Sequence, residues 1–295
     1  MAMRRKKNHP KNTVMLFLTA IIWGFAFVAQ SAGMEYIGPF TFNFFRTLLG
    51  GLVLLPVVFA VKHGKKTKQE RNMLLLGGVC CGLLLCVATN VQQIGIMSTT
   101  VGKTGFLTSA YIVFVPVLGI FFRRKCGWNV WAGVVLALAG MYLLCIGESF
   151  VIATGDIYIL ICAFVFAIHI MAVDYFAPKV DGVSLSCIQF LVCSAGAAGF
   201  MRAFEAVDLA GLKGALGSLL YAGVMSCGVA YTLQILGQKN YNPSIAALIL
   251  SLESTFSVLG GFLFLGEELS VRELGGCVLM FAAIVLTQLP IGKKD

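Results

Sequence analysis

The chain of 295 residues contains 59% hydrophobic and 12% charged residues and has a formal net charge of +9. Soluble globular domains have about 25% charged and about 45–50% apolar residues, so this composition excludes an ordinary soluble domain. Three long runs contain no charged residue, namely 72–102, 126–147 and 214–238. A helix of about 20 apolar residues crosses a bilayer core about 30 Å thick. The sequence therefore predicts an all-α integral membrane protein.

Ten transmembrane helices are predicted in chain order. The first follows a basic segment and resembles a signal peptide, with 29–32 as a cleavage region, but the nine further spans favour an uncleaved helix. The predicted spans are Thr13–Ala32, Phe40–Val61, Met73–Ile94, Lys103–Phe122, Trp128–Gly147, Asp156–Tyr175, Val183–Met201, Leu212–Gly237, Pro243–Leu265 and Arg272–Leu289.

Basic residues are concentrated on one predicted side of the membrane. In the first half of the chain they flank the spans on that side, whereas only Lys103 lies near the opposite side. Short loops rich in Lys and Arg mark the cytoplasmic face. We therefore expect a multi-pass protein of the cell membrane, surrounded by the lipid bilayer, with both termini in the cytoplasm. Because the positive charge flanks the spans, it argues against nucleic acid as a partner.

The ten cysteines could indicate a disulfide framework or a metal site. Nine of them lie inside apolar runs, however, and no CxxC motif occurs. The histidines His9, His63 and His169 are far apart in the sequence. Buried thiols that act as small hydrophobic side chains are the favoured interpretation. No metal and no other cofactor is predicted.

The two halves of the chain repeat the same order of features. Arg46 follows Gly38-Pro39, and Gln189 follows Asp181-Gly182 at the matching distance. The fourth and ninth predicted spans are both rich in small and hydroxyl residues, and each carries one charge. Because each half has five spans, the second copy must be inverted relative to the first. The sequence thus predicts two inverted five-helix repeats, 13–147 and 156–290, around a central cavity, which is a recurrent plan of transporters.

Several motifs resemble those of EamA-type carriers of the drug/metabolite transporter superfamily. The resemblance covers about residues 13–290 and implies a secondary carrier of small organic metabolites, with a cavity between two inverted five-helix repeats. The motifs are Trp23-Gly24-Phe25, Phe44-Phe45-Arg46, Gly105-Phe106-Leu107-Thr108-Ser109, Val115-Pro116, Leu252-Glu253-Ser254 and Phe264-Leu265-Gly266-Glu267.

Glu253 is the candidate with the deepest predicted position. It lies ten residues after Pro243, which at about 1.5 Å per residue is about 15 Å into the span and near the midplane. An ionisable group there is costly and usually faces a cavity or a partner. Glu253 could couple protons, contact a cationic or hydroxylated substrate, or serve as a structural acid that caps a break in the helix.

Two basic residues are further candidates. Arg46 lies about 9 Å below the outer end of its span. It could hold a substrate carboxylate or phosphate in its fork, or it could extend to the surface or pair with a carboxylate. Lys103, at the outer end of the fourth span, is either an ammonium that reaches the interface or a substrate ligand.

Uncharged polar residues inside the apolar runs complete the candidate site. His169 is either a hydrogen-bonded structural residue or a pH-sensitive gate. The amides and phenols either join helices or line a cavity, and their number favours a cavity. They are Asn43, Asn90, Gln92, Gln93, Tyr111, Gln189, Tyr231 and Gln234.

The predicted function is transport of a small organic metabolite across the cytoplasmic membrane by alternating access. The solute could be amino acid-like, nucleoside-like or drug-like, protons could drive it, and a homodimer is left open. A non-transporting membrane sensor or scaffold is the alternative. The chain contains no GxSxG, HExxH or P-loop motif, so an enzyme is not predicted.

Overall fold

The computed structural model of the protein describes residues 10–60, 67–122, 127–145, 153–265 and 270–288. These residues form helices and turns, without a strand. The helices are α1 (Pro10–Gly33), α2 (Pro39–Ala60), α3 (Lys68–Ile96), α4 (Val101–Thr108), α5 (Tyr111–Phe121), α6 (Trp128–Cys145), α7 (Thr154–Phe176), α8 (Gly182–Phe204), α9 (Leu209–Gly214), α10 (Leu216–Leu220), a π-helix (Tyr221–Ala230), α11 (Tyr231–Gln238), α12 (Pro243–Leu250), α13 (Glu253–Leu265) and α14 (Val271–Gln288).

Within the described residues, eight helical segments are long and apolar enough to cross a membrane. The predicted membrane class is thereby supported. The apolar helices at the fifth and tenth predicted positions, Trp128–Leu143 and Leu274–Thr287, are shorter. The complete α6 and α14 have 18 residues each, or about 27 Å at 1.5 Å per residue.

Two spans that the sequence predicts as continuous are each broken into two helices. The first is interrupted between α4 and α5 at Ser109-Ala110, and the second between α12 and α13 at Ser251-Leu252. At both breaks the backbone forms a tighter turn. The amide of Ala110 donates to the carbonyl of Leu107 and the amide of Leu252 donates to the carbonyl of Ile249, in each case three residues back. Both serines lie eight residues after the first residue of their span. The two interruptions are therefore equivalent in position.

The eighth predicted span contains a wider helical segment. Tyr221–Ala230 is a π-helix between α10 and α11, and the amide of Tyr231 donates to the carbonyl of Ser226, five residues back. Segments of this kind are rare and often occur at functional sites. Ser226 and Tyr231, which this turn joins, both line a cavity in the bundle.

The two halves of the chain share one core. In the first half, α1 packs against the π-helix, α11, α12 and α13, and α2 packs against α8 and the π-helix. In the second half, α7 packs against α3, α4 and α5, and α8 also contacts α3. Finally, α6 packs against α14, and the two broken spans contact each other. The principal helix contacts thus join residues before 146 to residues after 152.

Gly24 lets α1 approach the backbone of α13 closely. A Cβ at this position would overlap the Cβ of Phe256 and would lie 2.9 Å from the carbonyl oxygen of Glu253. Gly199, near the end of α8, is exposed, and a Cβ added there would have no neighbouring atom within 4 Å. The first glycine therefore fixes the distance between two helices, and the second does not.

We predict that Gly24→Ala lowers the midpoint of thermal unfolding in detergent. Overpacking of this kind costs about 1–3 kcal/mol, and here backbone atoms of α13 would have to move. The matched control Gly199→Ala should leave the midpoint unchanged or raise it, because alanine is the better helix former by about 0.5–1 kcal/mol. Equal midpoints for the two variants would contradict the close α1–α13 packing.

Candidate functional site

A small cavity lies among the described helices, at the level of the two helix breaks. Its volume is about 30 Å³, which is room for two or three water molecules because one needs about 10–15 Å³. Both halves of the chain contribute to its wall. The lining residues are Trp23, Ala26, Phe27, Gln30, Arg46, Gln92, Thr108, Tyr111, Phe166, Ile170, Ser226, Tyr231, Gln234 and Glu253.

Arg46 of α2 is the basic residue in this wall. Its side chain is only 3% exposed, so it does not extend to the surface. Nε donates to Oδ1 of Asn43 at 2.9 Å, and Nη1 donates to Oε1 of Gln30. Nη2 has no hydrogen-bond partner among the described residues. The guanidinium is thus held by two neutral amides, and the predicted alternative of pairing with a carboxylate does not occur in the part of the chain that the structure describes.

Glu253, the first residue of α13, is the acidic residue in the wall. It is 2% exposed and begins the helix that follows the second break. Tyr111 is the first residue of the helix after the other break, and its hydroxyl donates to Oε1 of Glu253 at 2.9 Å. Ser109 lies 3.4 Å from the same oxygen. The carboxylate therefore joins the two equivalent breaks, and its second oxygen receives no hydrogen bond from the described residues.

Aromatic side chains form the less polar part of the wall. The rings of Trp23 and Tyr231 have centroids 4.5 Å apart, and Phe190 supports Tyr231 from behind at 5.3 Å. Two polar atoms in this region, Nε1 of Trp23 and Oε1 of Gln234, are buried without a partner in the described residues. The wall therefore combines aromatic rings with residues that carry a donor and an acceptor without a partner among the described residues.

Six of the predicted site residues meet in this cavity: Arg46, Gln92, Tyr111, Tyr231, Gln234 and Glu253. Asn43 stands behind the wall, where it accepts from Arg46 and donates to Thr89 of α3.

The other buried candidates lie outside the lining. Asn90 donates to the carbonyl of Cys86 in its own helix, and Gln93 donates to that of Gln30. The Nε2 atom of His169 lies 3.2 Å from Oε1 of Gln189. His169 and Gln189 therefore join α7 to α8.

Lys103 forms a separate contact at the end of the bundle predicted to face outward. Its ammonium pairs with Asp156, which is 3% exposed. Asp156 also accepts from the hydroxyl of Thr99 at 2.6 Å and from the amide of Ala153 at 2.8 Å. These contacts connect the α3–α4 turn to the first turn of α7. Lys103 lies outside the cavity lining.

Several lining residues lie outside the set of predicted site residues. Gln30 has the clearest role, because it holds Arg46, but in the sequence it lies within a segment that resembles a cleavage region. Trp23 belongs to the Trp23-Gly24-Phe25 motif, which could have identified it as a site residue. The others are Ala26, Phe27, Thr108, Phe166, Ile170 and Ser226. An apolar residue that faces a cavity has the same sequence signal as one that faces lipid.

Metal-ligand chemistry is sparse in the described residues. Their His, Cys, Asp and Glu side chains form no group of three that could hold a metal ion, and the cysteines among them whose side chains are described are free thiols. The chemistry available in the cavity is therefore that of one guanidinium, one carboxylate, amides, hydroxyls and aromatic rings.

Comparisons with known proteins agree with a membrane transporter. Residues 11–146 and 153–289 both match the model of the EamA-like transporter family. An uncharacterized transporter of Archaeoglobus fulgidus is 28% identical over 94% of this chain and 85% of its own length. The uncharacterized transporter YoaV of Bacillus subtilis is 22% identical over 95% of this chain and 98% of its own length.

A solved crystal structure of a protein has the same fold. It aligns with a TM-score of 0.77 at 17% sequence identity and covers 94% of this chain and 96% of its own. At this identity the likeness concerns the fold alone.

We predict that Lys103→Met lowers thermal stability, because Lys103 lies outside the cavity lining and pairs with Asp156. The loss of the ammonium leaves the buried carboxylate of Asp156 without its charged partner, at a cost of about 1–3 kcal/mol. Lys213→Met, at an exposed lysine in the last turn of α9, is the control and should leave the midpoint unchanged. Equal midpoints for Lys103→Met and Lys213→Met would contradict a structural role for the Lys103–Asp156 pair.

Proposed function

The chain belongs to the EamA-like transporter family, and on that premise we propose that it is a secondary transporter of a small organic metabolite. The observation that carries the proposal is the cavity itself. It is small, it lies between helices from both halves of the chain, and its mainly apolar wall contains Arg46 and Glu253. Ionisable groups in this position mark solute pathways in membrane proteins.

The proposed architecture is two inverted five-helix repeats, 13–147 and 156–290. Three pairs of equivalent features support it. The breaks at Ser109 and Ser251 occupy matching positions. The first span of each half packs against the third span of the other half, α1 against α11 and α7 against α3. The two third spans each contribute a glutamine to the cavity, Gln92 from α3 and Gln234 from α11. In carriers with such repeats, the solute site lies between the two copies near the midplane.

The proposed mechanism is alternating access. In the present conformation the cavity has room for only a few waters, so a metabolite can enter only if the surrounding helices separate. One group of helices consists of α1 with α11, α12 and α13, and the other consists of α7 with α3, α4 and α5. We propose that these groups rock about the contact between the two broken spans, opening the cavity first to one face of the cell membrane and then to the other, with both termini in the cytoplasm.

Transport assays with purified protein in liposomes test this function. The panel comprises amino acids, nucleosides, organic acids and cationic drugs, and we expect protein-dependent flux of at least one class. Arg46→Gln should reduce that flux at least tenfold, because hydrogen bonds to a charged group are worth about 1.5–3 kcal/mol and each 1.4 kcal/mol is a factor of ten.

Arg202→Gln makes the same chemical change at an exposed arginine near the end of α8 and should retain full flux. Solute binding without any flux would contradict the transport proposal and favour a sensor. Normal flux in Arg46→Gln would exclude Arg46 from the site.

A further inference from the structure

We propose that the Lys103–Asp156 pair is a latch on the end of the bundle predicted to face outward, and that its loss opens the central cavity to that face alone. A second latch, formed by Asn12 with Thr13 and Tyr241, holds the opposite end. This inference rests on the proposed transport function and names the contacts that control access to its site. It follows from two side-chain contacts that occupy equivalent places in the two halves of the chain and differ in chemistry.

At the end predicted to face outward, the α3–α4 turn meets the first turn of α7. The ammonium of Lys103 pairs with the carboxylate of Asp156, and the hydroxyl of Thr99 donates to the same carboxylate at 2.6 Å. The backbones also approach each other closely, since a Cβ at Gly155 would lie 2.7 Å from the carbonyl oxygen of Gly95. No solute can pass between two segments of backbone at this distance.

At the opposite end, the α11–α12 turn meets the first turn of α1. Nδ2 of Asn12 donates to the carbonyl of Gly237 at 2.7 Å and to that of Lys239 at 3.2 Å. The hydroxyls of Thr13 and Tyr241 are 2.8 Å apart. Here too the backbones are close, because a Cβ at Gly237 would lie 3.2 Å from the carbonyl oxygen of Asn12. These contacts are hydrogen bonds between neutral groups.

The two contacts are equivalent in position. Asp156 and Asn12 are each the third residue of the first helix of their half, α7 and α1. Gly95 and Gly237 are each the residue before the last of the helix that they meet, α3 and α11. In both places the start of the first span in one half is therefore joined to the end of the third span in the other half.

The two contacts lie at opposite ends of the bundle, because the broken spans run antiparallel. The hydroxyl of Ser109 lies 3.3 Å from the carbonyl oxygen of Ser251, whereas Gly102, near the start of α4, faces Val258 of α13. The start of α4 is thus directed away from the start of α12. The central cavity, at the level of the breaks, lies between the two contacts.

The charges make the first latch sensitive to the loss of one partner. Asp156 is 3% exposed and Lys103 is 20% exposed, and a buried charge that loses its partner is strongly destabilised. Separation of the helices at this end admits water to the charge that remains. A variant that keeps one charge therefore favours the open conformation, because a change shifts an equilibrium by its difference in free energy between the two states.

Thiol labelling of the cavity from each face tests the inference. Ser226 lines the cavity and is 3% exposed, so Ser226→Cys places a thiol in the wall and serves as the parent protein. A charged, membrane-impermeant methanethiosulfonate reagent is added to right-side-out or to inside-out vesicles. Mass spectrometry measures the rate of modification at position 226 separately from that of the native cysteines.

Asp156→Asn and Lys103→Met should each raise this rate at least tenfold from the face predicted to be outward and less than twofold from the other face. The double variant should be labelled more slowly than either single variant, because neither charge then remains to be hydrated. A coupling of this kind is expected only for residues that interact. Asn12→Ala should raise the rate at least threefold from the opposite face alone.

Asp208→Asn is the matched control for the aspartate substitution. Asp208 is exposed and caps the start of α9, and asparagine is an equally good residue at that position. This variant should keep the parent rates from both faces. A rise equal to that of Asp156→Asn would overturn the latch.

The latch is also overturned if Asp156→Asn leaves the rate unchanged or raises it equally from both faces, since a loosened bundle would be labelled from either side. Acceleration from the same face in Asp156→Asn and Asn12→Ala would overturn the opposed latches. Solute flux in liposomes is measured on the same variants. One-sided opening without flux of any solute supports the latches and contradicts transport, whereas flux without one-sided opening contradicts the latches and supports transport.

Discussion

The guanidinium of Arg46 and the carboxylate of Glu253 lie inside a bundle whose outer surface is apolar, and most of the surrounding structure serves to accommodate them. Leucine, valine and phenylalanine side chains cover the exposed faces of the helices, as lipid contact requires. Burial of an unpaired charge in such surroundings costs several kcal/mol. The amides of Gln30 and Asn43 and the hydroxyl of Tyr111 reduce this cost by hydrogen bonding.

The helix breaks explain how Glu253 can be held inside the bundle. An unbroken helix has its backbone groups paired internally, so the two spans could contact each other only through side chains. At the breaks, Ser109 also approaches the carbonyl of Ser251 at 3.3 Å, and Tyr111 and Glu253 each begin a new helix beside the other. Irregular backbone is tolerated within a membrane where it is buried in protein or lines a cavity. The crossing of the broken spans therefore supports the carboxyl group of Glu253.

The positions of the helices could be predicted from the sequence, because they follow from contact with lipid. The side-chain contacts could not, because they depend on how each helix is rotated about its axis. Apolar runs predicted the membrane class and the approximate position of each helix, because every spanning backbone must be internally hydrogen-bonded. A break near Glu253 was one of the alternatives that the sequence left open, but the break at Ser109 was not predicted, since this serine is compatible with a continuous helix. The Arg46–Gln30 contact was missed because hydropathy does not tell which side of α1 faces α2. The Lys103–Asp156 pair was missed because 53 residues separate its members.

An experimental density map of the solute-free protein in a lipid nanodisc, at a resolution that shows side chains, tests the central claim most directly. The account predicts that Arg46 contacts Gln30 and Asn43, that Glu253 contacts Tyr111, and that both charges face one water-filled space without touching each other. A direct Arg46–Glu253 ion pair, or either side chain directed toward the acyl chains, would contradict it.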